Sequence, residues 1–474
     1  MSRETIMSAR CSFVPLAMAA LVTLSCGSVD ATSESDTTSS LIQASTGASQ
    51  VYSLTAPEIS TAEIAEIFAE GLTLQEALSL GLRNSRSLQA AFQRIGVAKS
   101  DWVRSGLPSN PLLSIAFLAP EGGGRSFVGG SLVQSLVDIW NIPLQSRVAS
   151  EDLQQCIYEV ADTAARLARD IRTTYGDAQG ADETLLVEEA NLEVAARMMK
   201  LISASREAGA STDLDVNMAT LRYLQAEVAL PEAKLQAAVA RRELLRLLSL
   251  DLDPSAVKLV AVEPSRSTPP LNREQLVAMA LSSRLDLRAQ GHAIASAEAA
   301  LGLAEREGLS PVSLGVNVER EARRGAASNE IDAKIGPTLE IGLPIVNHRA
   351  IASTRAEYVL NSLIIQREAL HLRVVEEVRL ALDTFHTAEV IAKQHATRIV
   401  PQAQLNLELT SRAFEQGRLT SLAVMESQKQ QIEATRNYAT ARRSLAKASI
   451  ALESSIGLPW SEINKRTSGA LESR

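Results

Sequence analysis

Two halves of the chain open on the same helical pattern, LTLQEALSLGLRNSRSL (Leu72–Leu88) and LNREQLVAMALSSRLDL (Leu271–Leu287). Each copy begins with a helix start signal, in which a capping residue stands three positions before an acid or an amide, as Thr73 stands before Glu76. The same opening in both halves indicates that one structural unit occurs twice.

Further landmarks recur in the same order and at nearly constant spacing, so chance is a poor explanation. They are Ile142-Pro143-Leu144 with Leu343-Pro344-Ile345, Glu207-Ala208-Gly209 with Glu415-Gln416-Gly417, and Thr212-x-Leu214-x-Val216 with Thr420-x-Leu422-x-Val424. We therefore divide the chain into a first repeat (71–260), a second repeat (261–460) and a C-terminal tail (461–474).

Each repeat predicts a helix, two strands, a long helix, a glycine-centred turn and a final helix. The predicted helices span 74–105, 147–207 and 213–250 in the first repeat and 273–307, 349–415 and 421–456 in the second. Apolar residues recur at spacings of three and four, as in coiled coils. Each long helix would be roughly 90–100 Å long, which suits a rod or the wall of a tube. Pro401 is expected to kink the second long helix.

The predicted strands span about 110–119, 126–137, 310–320 and 333–343. Three of them alternate between apolar and polar residues, whereas the segment from Phe127 to Val137 alternates poorly. About 9–11 residues suffice to cross a bilayer as a tilted strand. Four strands cannot close around a pore, and open edges are not tolerated in lipid. The pattern thus favours several chains that share one barrel; the alternative is a soluble four-stranded sheet packed on helices.

The N-terminus is typical of an export signal, residues 1–25, with Arg3 and Arg10 before an apolar run that is too short to span a membrane. The signal ends in Leu21-Val22-Thr23-Leu24-Ser25-Cys26, which resembles a bacterial lipoprotein box. That resemblance implies a lipid on Cys26, and ordinary signal cleavage is the alternative. Residues 26–70 are expected to form a partly disordered tether, because the stretch up to about Gln50 is rich in Ser, Thr, Asp, Ala and Gly.

The composition excludes several functions. The 474 residues are 46% hydrophobic but only 3% aromatic, with a net charge of −8. The sequence contains no long basic run, so nucleic acid is not an expected partner. The five histidines are scattered, and no phosphate loop or nucleophile cluster appears, so we expect no enzyme, cofactor or metal site. The predicted fold class is mainly α with a small β part.

From about Leu72 to Trp460 the chain resembles the TolC-like outer-membrane factors. The resemblance rests on the duplicated openings, on Ile399-Val400-Pro401-Gln402-Ala403 and on the segment Phe414-Glu415-Gln416-Gly417-Arg418-Leu419-Thr420-Ser421-Leu422. It implies a helical barrel joined to a shared twelve-strand transmembrane barrel in a homotrimer. It also implies a periplasmic adaptor protein, an inner-membrane pump and a place among outer-membrane lipids. The expected function is an outer-membrane duct for efflux or type I secretion; the alternative is a coiled-coil structural lipoprotein without a pore.

The resemblance also implies site residues. Adaptor contact is expected at the hairpin tips, at Gly209, Gly417, Arg418, Leu419 and Thr420. A periplasmic gate is expected at Glu426, with Asp213 and Asp215 as additional acids. The structural alternatives are glycine in a turn and acids favoured at helix N-termini.

Overall fold

The computed structural model describes residues 29–55, 59–118, 121, 127–209, 211–261, 272–306, 312–322, 331–343 and 349–465. Two short helices, α1 (Thr32–Thr46) and α2 (Thr61–Glu70), precede the first repeat. The first repeat contains α3 (Leu74–Asn84), α4 (Arg86–Ser105), β1 (Leu112–Leu118), β2 (Phe127–Ser135), α5 (Leu136–Glu207) and α6 (Asp213–Leu247), followed by the 3₁₀ turn Pro254–Ala256. The second contains α7 (Arg273–Ser283), α8 (Leu285–Arg306), β3 (Val312–Ala322), β4 (Ile331–Ile341), α9 (Arg349–Gln394), a π-helical turn (His395–Ile399), α10 (Val400–Glu415) and α11 (Ser421–Ile456).

This order confirms the predicted fold class, mainly helical with a small sheet. Each repeat opens on a capping box, Thr73 with Glu76 in the first and Asn272 with Gln275 in the second. The single predicted opening helix of each repeat is in fact two helices, divided at Ser85 and at Arg284. Ser85 interrupts the first because its side chain accepts the N–H of Leu88 and starts a new helix.

The helix α5 corrects the prediction around Pro143. The predicted helix starts at residue 147, but α5 begins at Leu136 and contains Pro143 in an unbroken run of 72 residues, about 110 Å long. Ser135 caps it, since its Oγ accepts the N–H of Asp138 at 3.3 Å. Proline removes one backbone hydrogen bond. The burial of apolar side chains along the rest of this helix stabilises it by more than the lost bond costs.

The prediction of a partly disordered tether is revised for the residues that form helices. Residues Thr32–Thr46 form α1, which packs on α5, and its Ile42 is completely buried. The Arg172 guanidinium donates to the Thr46 carbonyl, and Lys99 pairs with Glu34 at 2.5 Å. This segment contains few apolar residues, and it is ordered because it packs on the surfaces of α4 and α5. The signal segment, including Cys26, lies outside the described residues.

Among the described residues, two large hydrophobic clusters form most of the core, and a small third one surrounds Ile202, Ala219 and Met425. The larger packs α1, α3 and α4 against α5, around side chains such as Phe92 and Ile171. The smaller packs α7 against α9 and α11, around Phe385 and Leu452. It also contains the completely buried Ile463, so the first residues of the predicted tail belong to the fold. Among the described helices, none combines the length and apolar character of a membrane span.

The four strands form one antiparallel sheet in the order β1-β2-β3-β4. The observed strands lie within two residues of the predicted ends. Direct pairing places Ile115 opposite Gly130, Gly130 opposite Val318, and Val318 opposite Ile335. Paired residues face the same side of a sheet, so the register decides which residues of β2 share a face with the alternating residues of β1, β3 and β4.

The close approach of β2 and β3 gives a test of this register. A Cβ on Gly315 would lie 2.5 Å from the Leu132 carbonyl oxygen, whereas a Cβ on Gly336 would meet nothing within 4 Å. Gly315→Ala is expected to push β2 and β3 apart and to cost about 1–3 kcal/mol, and Gly336→Ala to be nearly neutral. Thermal unfolding midpoints of the two purified variants make the comparison. Equal midpoints would show that the β2–β3 register is wrong.

Candidate functional site

One face of the sheet is apolar and open to the surroundings of the protomer. Its exposed residues are Leu113, Ile115, Phe117, Val128, Leu132, Leu314, Val316, Val318, Ile335, Leu339 and Ile341. The opposite face carries polar residues such as Ser131, Asn317 and Thr338. Exposure of so large an apolar patch to water is unfavourable. A sheet with one apolar and one polar face suits a hydrocarbon environment on its apolar side.

The sheet has two unpaired edges. Within the described residues, β1 pairs only with β2 and β4 pairs only with β3. The outer backbone N–H and C=O groups of β1 and β4 therefore have no ladder partner in the protomer. Such groups cost several kcal/mol each in hydrocarbon, so a lipid-facing sheet of this kind requires neighbouring strands.

At the far end of the long helices the chain reverses at two hairpin tips, residues 208–212 and 416–420. Gly209 and Gly417 adopt positive φ angles of 75° and 69°, which glycine tolerates without a Cβ penalty. A Cβ on either residue would meet nothing within 4 Å. The second tip also closes with the N–H of Arg418 donating to the Ala413 carbonyl at 2.9 Å. Both glycines thus have the predicted structural role, and Ala210 lies outside the described residues.

The second tip presents exposed residues at the end of the molecule. Arg418, Leu419 and Thr420 are all exposed, and Leu419 is an apolar side chain in that position. Thr420 precedes α11 without a side-chain cap hydrogen bond. Three accessible side chains of different chemistry on a fixed turn are suited to contact a partner.

The acids of the first tip are engaged locally. Asp215 forms a capping box with Thr212, and its Oδ1 accepts a 2.7 Å hydrogen bond from Ser421 at the start of α11. Hydrogen bonds, first from Thr212 and then from Ser421, hold the pKa of Asp215 below its usual range. Asp213 pairs with Arg206 at 2.5 Å. Asp215 therefore caps α6 and ties the two tips together.

Glu426 lies in the second turn of α11 with its carboxylate exposed. It faces Arg222 of α6: burial lowers the pKa of the Arg222 guanidinium, and the negative charge of Glu426 opposes that shift. Among the described residues Glu426 forms no ion pair within 4 Å. Of the three predicted gate acids, Glu426 is the one whose carboxylate is not committed to a local contact.

Ion pairs between the repeats position α11, and the sequence analysis missed them. Arg436 binds Glu188 through two 2.6 Å hydrogen bonds, and the Glu188 side chain is only 6% exposed. Further pairs join acids of α5 to bases of α11: Asp177 with Arg443 and Lys447, and Glu183 with Arg442. No local pattern reveals a contact across 248 positions.

The part of the chain that the structure describes contains no cluster of metal-ligating side chains. No three His, Cys, Asp or Glu side chains converge there in a group that could hold a metal ion. The Nδ1 atom of His292 lies 2.8 Å from a Glu151 carboxylate oxygen, and its ring stacks on Tyr158.

Comparisons with known proteins agree with this geometry. The profile of the family described as "Outer membrane efflux protein" matches residues 276–458. Nodulation protein T of Rhizobium leguminosarum bv. viciae is 24% identical over 81% of this chain and 82% of its own length. The pyoverdine export outer membrane protein OpmQ of Pseudomonas aeruginosa is 25% identical over 82% of this chain and 85% of its own length.

Solved structures share the fold. The outer-membrane channel OprN superposes with a TM-score of 0.68 at 19% identity, covering 88% of this chain and 96% of OprN. The outer membrane protein VceC of Vibrio cholerae gives a TM-score of 0.67 at 16% identity, with 82% and 96% covered.

An open-edged sheet with one apolar face, joined to a helix about 110 Å long, defines a subunit of an outer-membrane channel. Over residues 276–458 the chain matches the outer membrane efflux protein family, and its duplicated motifs resemble the TolC-like type. It is accordingly an outer-membrane efflux channel protein rather than a member of an enzyme family.

The Arg436–Glu188 pair is expected to anchor α11 on α5. Arg436→Gln leaves the nearly buried Glu188 carboxylate without its cation, which should cost about 1–3 kcal/mol after allowance for the partial exposure of Arg436. The matched control is Arg197→Gln, since Arg197 pairs with Glu193 and both side chains are more than half exposed. That change should cost under about 0.5 kcal/mol. Denaturant midpoints followed by circular dichroism distinguish the two, and equal losses would count against the anchor.

Proposed function

We propose that three copies of this chain close one transmembrane β-barrel and continue below it as a helical tunnel, so that the trimer is the duct of an efflux system. The observation that carries the proposal is the sheet with one apolar face and two unpaired edges. Three four-stranded sheets joined edge to edge satisfy every outer ladder group and enclose a channel, which one sheet cannot do.

The helices support the same assembly. On α6 exposed apolar side chains recur every seven residues, at Leu214, Leu221, Val228 and Leu235. A second stripe of the same spacing lies on α9, at Ile351, Tyr358, Ile365 and Leu372. A seven-residue repeat of apolar positions is the signature of a helix that packs against another helix along its length. The proposed occupant of each stripe is a neighbouring copy of the chain.

The tips are the proposed contact for a periplasmic adaptor protein, which would connect the duct to an inner-membrane pump. Support comes from the exposure of Arg418, Leu419 and Thr420 around the rigid turn at Gly417, with Gly209 at the corresponding position of the first tip. The cargo is whatever the pump delivers, and we propose small molecules, drugs or metal ions. The export of pyoverdine in the name of one relative is consistent with a small-molecule cargo.

Glu426 is the proposed gate residue at the periplasmic mouth. Three copies would form a ring of carboxylates, and such rings favour cations. Asp213 and Asp215 stand nearby and would add negative charge, although hydrogen bonds and an ion pair already occupy them.

A lipid on Cys26 is the proposed anchor in the outer membrane. The Glu34–Lys99 pair holds the start of α1 beside α4, whose last turns lead towards β1. Residues 27–31 can span at most roughly 20 Å between Cys26 and Thr32. That reach is compatible with a lipid in the leaflet where β1 begins.

Conductance tests the channel and its gate together. The purified protein in a planar bilayer should form channels selective for cations, and Glu426→Gln should reduce the cation preference measured as a reversal potential in a salt gradient. Glu408→Gln is the control, because Glu408 is an exposed acid of α10 already paired with Arg412. Absence of conductance from both the unmodified protein and Glu426→Gln would favour a structural spacer.

Adaptor contact is tested at the second tip. Gly417→Pro fixes φ near −65° where the chain needs +69°, so it should abolish pump-dependent export while the trimer still reaches the outer membrane. Gly417→Asn should retain export, because asparagine tolerates the left-handed conformation. Unchanged tolerance to exported compounds in the proline variant would argue against a role in docking.

The anchor is tested by metabolic labelling. Cys26→Ser should abolish incorporation of radiolabelled palmitate, because the thiol that accepts the lipid is gone. The free, buried Cys156 serves as the internal control, since Cys156→Ser should leave labelling unchanged. Persistent label in the Cys26 variant would refute lipidation at this residue.

A further inference from the structure

A cavity of about 470 Å³ lies between α5, α6 and α11, above the hairpin tips. Its walls include Asn191 and Met198 from α5, Arg222 from α6, and Met425, Gln428 and Lys429 from α11. The volume is in the range of small-molecule sites. The cavity is therefore lined both by methionine side chains and by polar groups.

The polar groups of this cavity differ from those of the larger cavity of about 630 Å³ near Arg284. There the guanidinium groups are paired, as Arg172 is with Glu453 and Arg284 with Asp286. In the cavity near the tips, neither Arg222 nor Lys429 forms an ion pair or hydrogen bond with a residue of the described ranges. An incompletely compensated guanidinium is costly when it is removed from water, unless an acceptor is near.

Gln428 provides a second, independent sign. The residue is only 5% exposed, and it borders the cavity. Its amide has no hydrogen-bond partner among the described residues, and its atoms are not among the fully buried unpaired ones, so they stay accessible from the cavity. The donors and acceptor of this amide are therefore available to water or to a ligand in the cavity.

The unpaired donors of the lining favour an anion. Within the described ranges, Arg222 and Lys429 are its cations without an ion pair, Glu433 is its acid, and Arg436 is neutralised by Glu188. Glu426, outside the lining, faces Arg222 and brings the total charge of these six groups to zero. Charge-assisted hydrogen bonds from guanidinium and ammonium groups suit a carboxylate or a sulfonate, while the Met198 and Met425 side chains suit an apolar body.

We propose that this cavity binds a small organic anion, with its acidic group held by Arg222, Lys429 and the Gln428 amide and its apolar part against Met198 and Met425. Such a ligand would connect α6 to α11 beside the tips. The proposal does not require the gate, the adaptor contact or the lipid anchor.

Isothermal titration calorimetry on the full-length protein tests the proposal, with 1-naphthoate as the anionic probe and 1-naphthylmethylammonium as its cationic counterpart. Naphthoate should bind once per chain and the cation should not bind measurably. Arg222→Gln should weaken naphthoate binding about tenfold or more, whereas Glu426→Gln should strengthen it by removing the opposing carboxylate. Arg197→Gln, which removes an exposed cation of α5 outside the cavity, should leave binding unchanged.

If Arg222→Gln does not yield folded protein, Lys429→Gln replaces it, because Lys429 is exposed and its removal should weaken binding without loss of packing. Equal binding of the two probes would overturn the proposal. So would equal effects of Arg222→Gln and Arg197→Gln, or weaker binding in Glu426→Gln.

Discussion

The unpaired backbone groups along β1 and β4 place the strongest constraint on this molecule. In water an edge strand is hydrated, but one face of this sheet carries eleven exposed apolar residues that water does not favour. In hydrocarbon the apolar face is satisfied and the edges are not. The protomer is therefore stable in neither environment alone, and only neighbouring copies of the sheet remove the conflict. The apolar stripes on α6 and α9 extend the same requirement along the helices.

Local physics made much of this fold predictable. Helix starts such as Thr73 with Glu76 and the alternation in β3 depend on residues a few positions apart. The face of β2 could not be predicted, because Gly129 and Gly130 have no side chain to show a pattern, and pairing with β1 and β3 decides it. The helix α1 was missed for a related reason: its polar sequence is ordered by contacts with α4 and α5.

The distinction between local features and distant contacts also applies to the hairpin tips. Gly209 and Gly417 were predictable as turns, since a positive φ is a property of the residue itself. The roles of Asp215 and Arg222 were not, because each depends on α11, which lies about two hundred positions away. Asp215 illustrates the point: an acid near a helix start was expected to be either a cap or a gate residue, and its Ser421 contact joins the two tips. Contacts between repeats depend on how the two copies pack, which neither copy encodes alone.

The repeats differ most where their long helices lead to the tips. The helix α5 is continuous for 72 residues, whereas its counterpart contains a π-helical turn before Pro401. Proline cannot donate to the carbonyl four positions earlier, and the chain accommodates this with a five-residue hydrogen bond from the Val400 N–H to the His395 carbonyl. The hairpin of α10 and α11 therefore joins α9 through a weakened ladder, while side-chain ion pairs hold it against α5. We therefore expect the second hairpin to be held less rigidly than the first, because the first continues an unbroken helix and the second depends on ion pairs that can exchange for water.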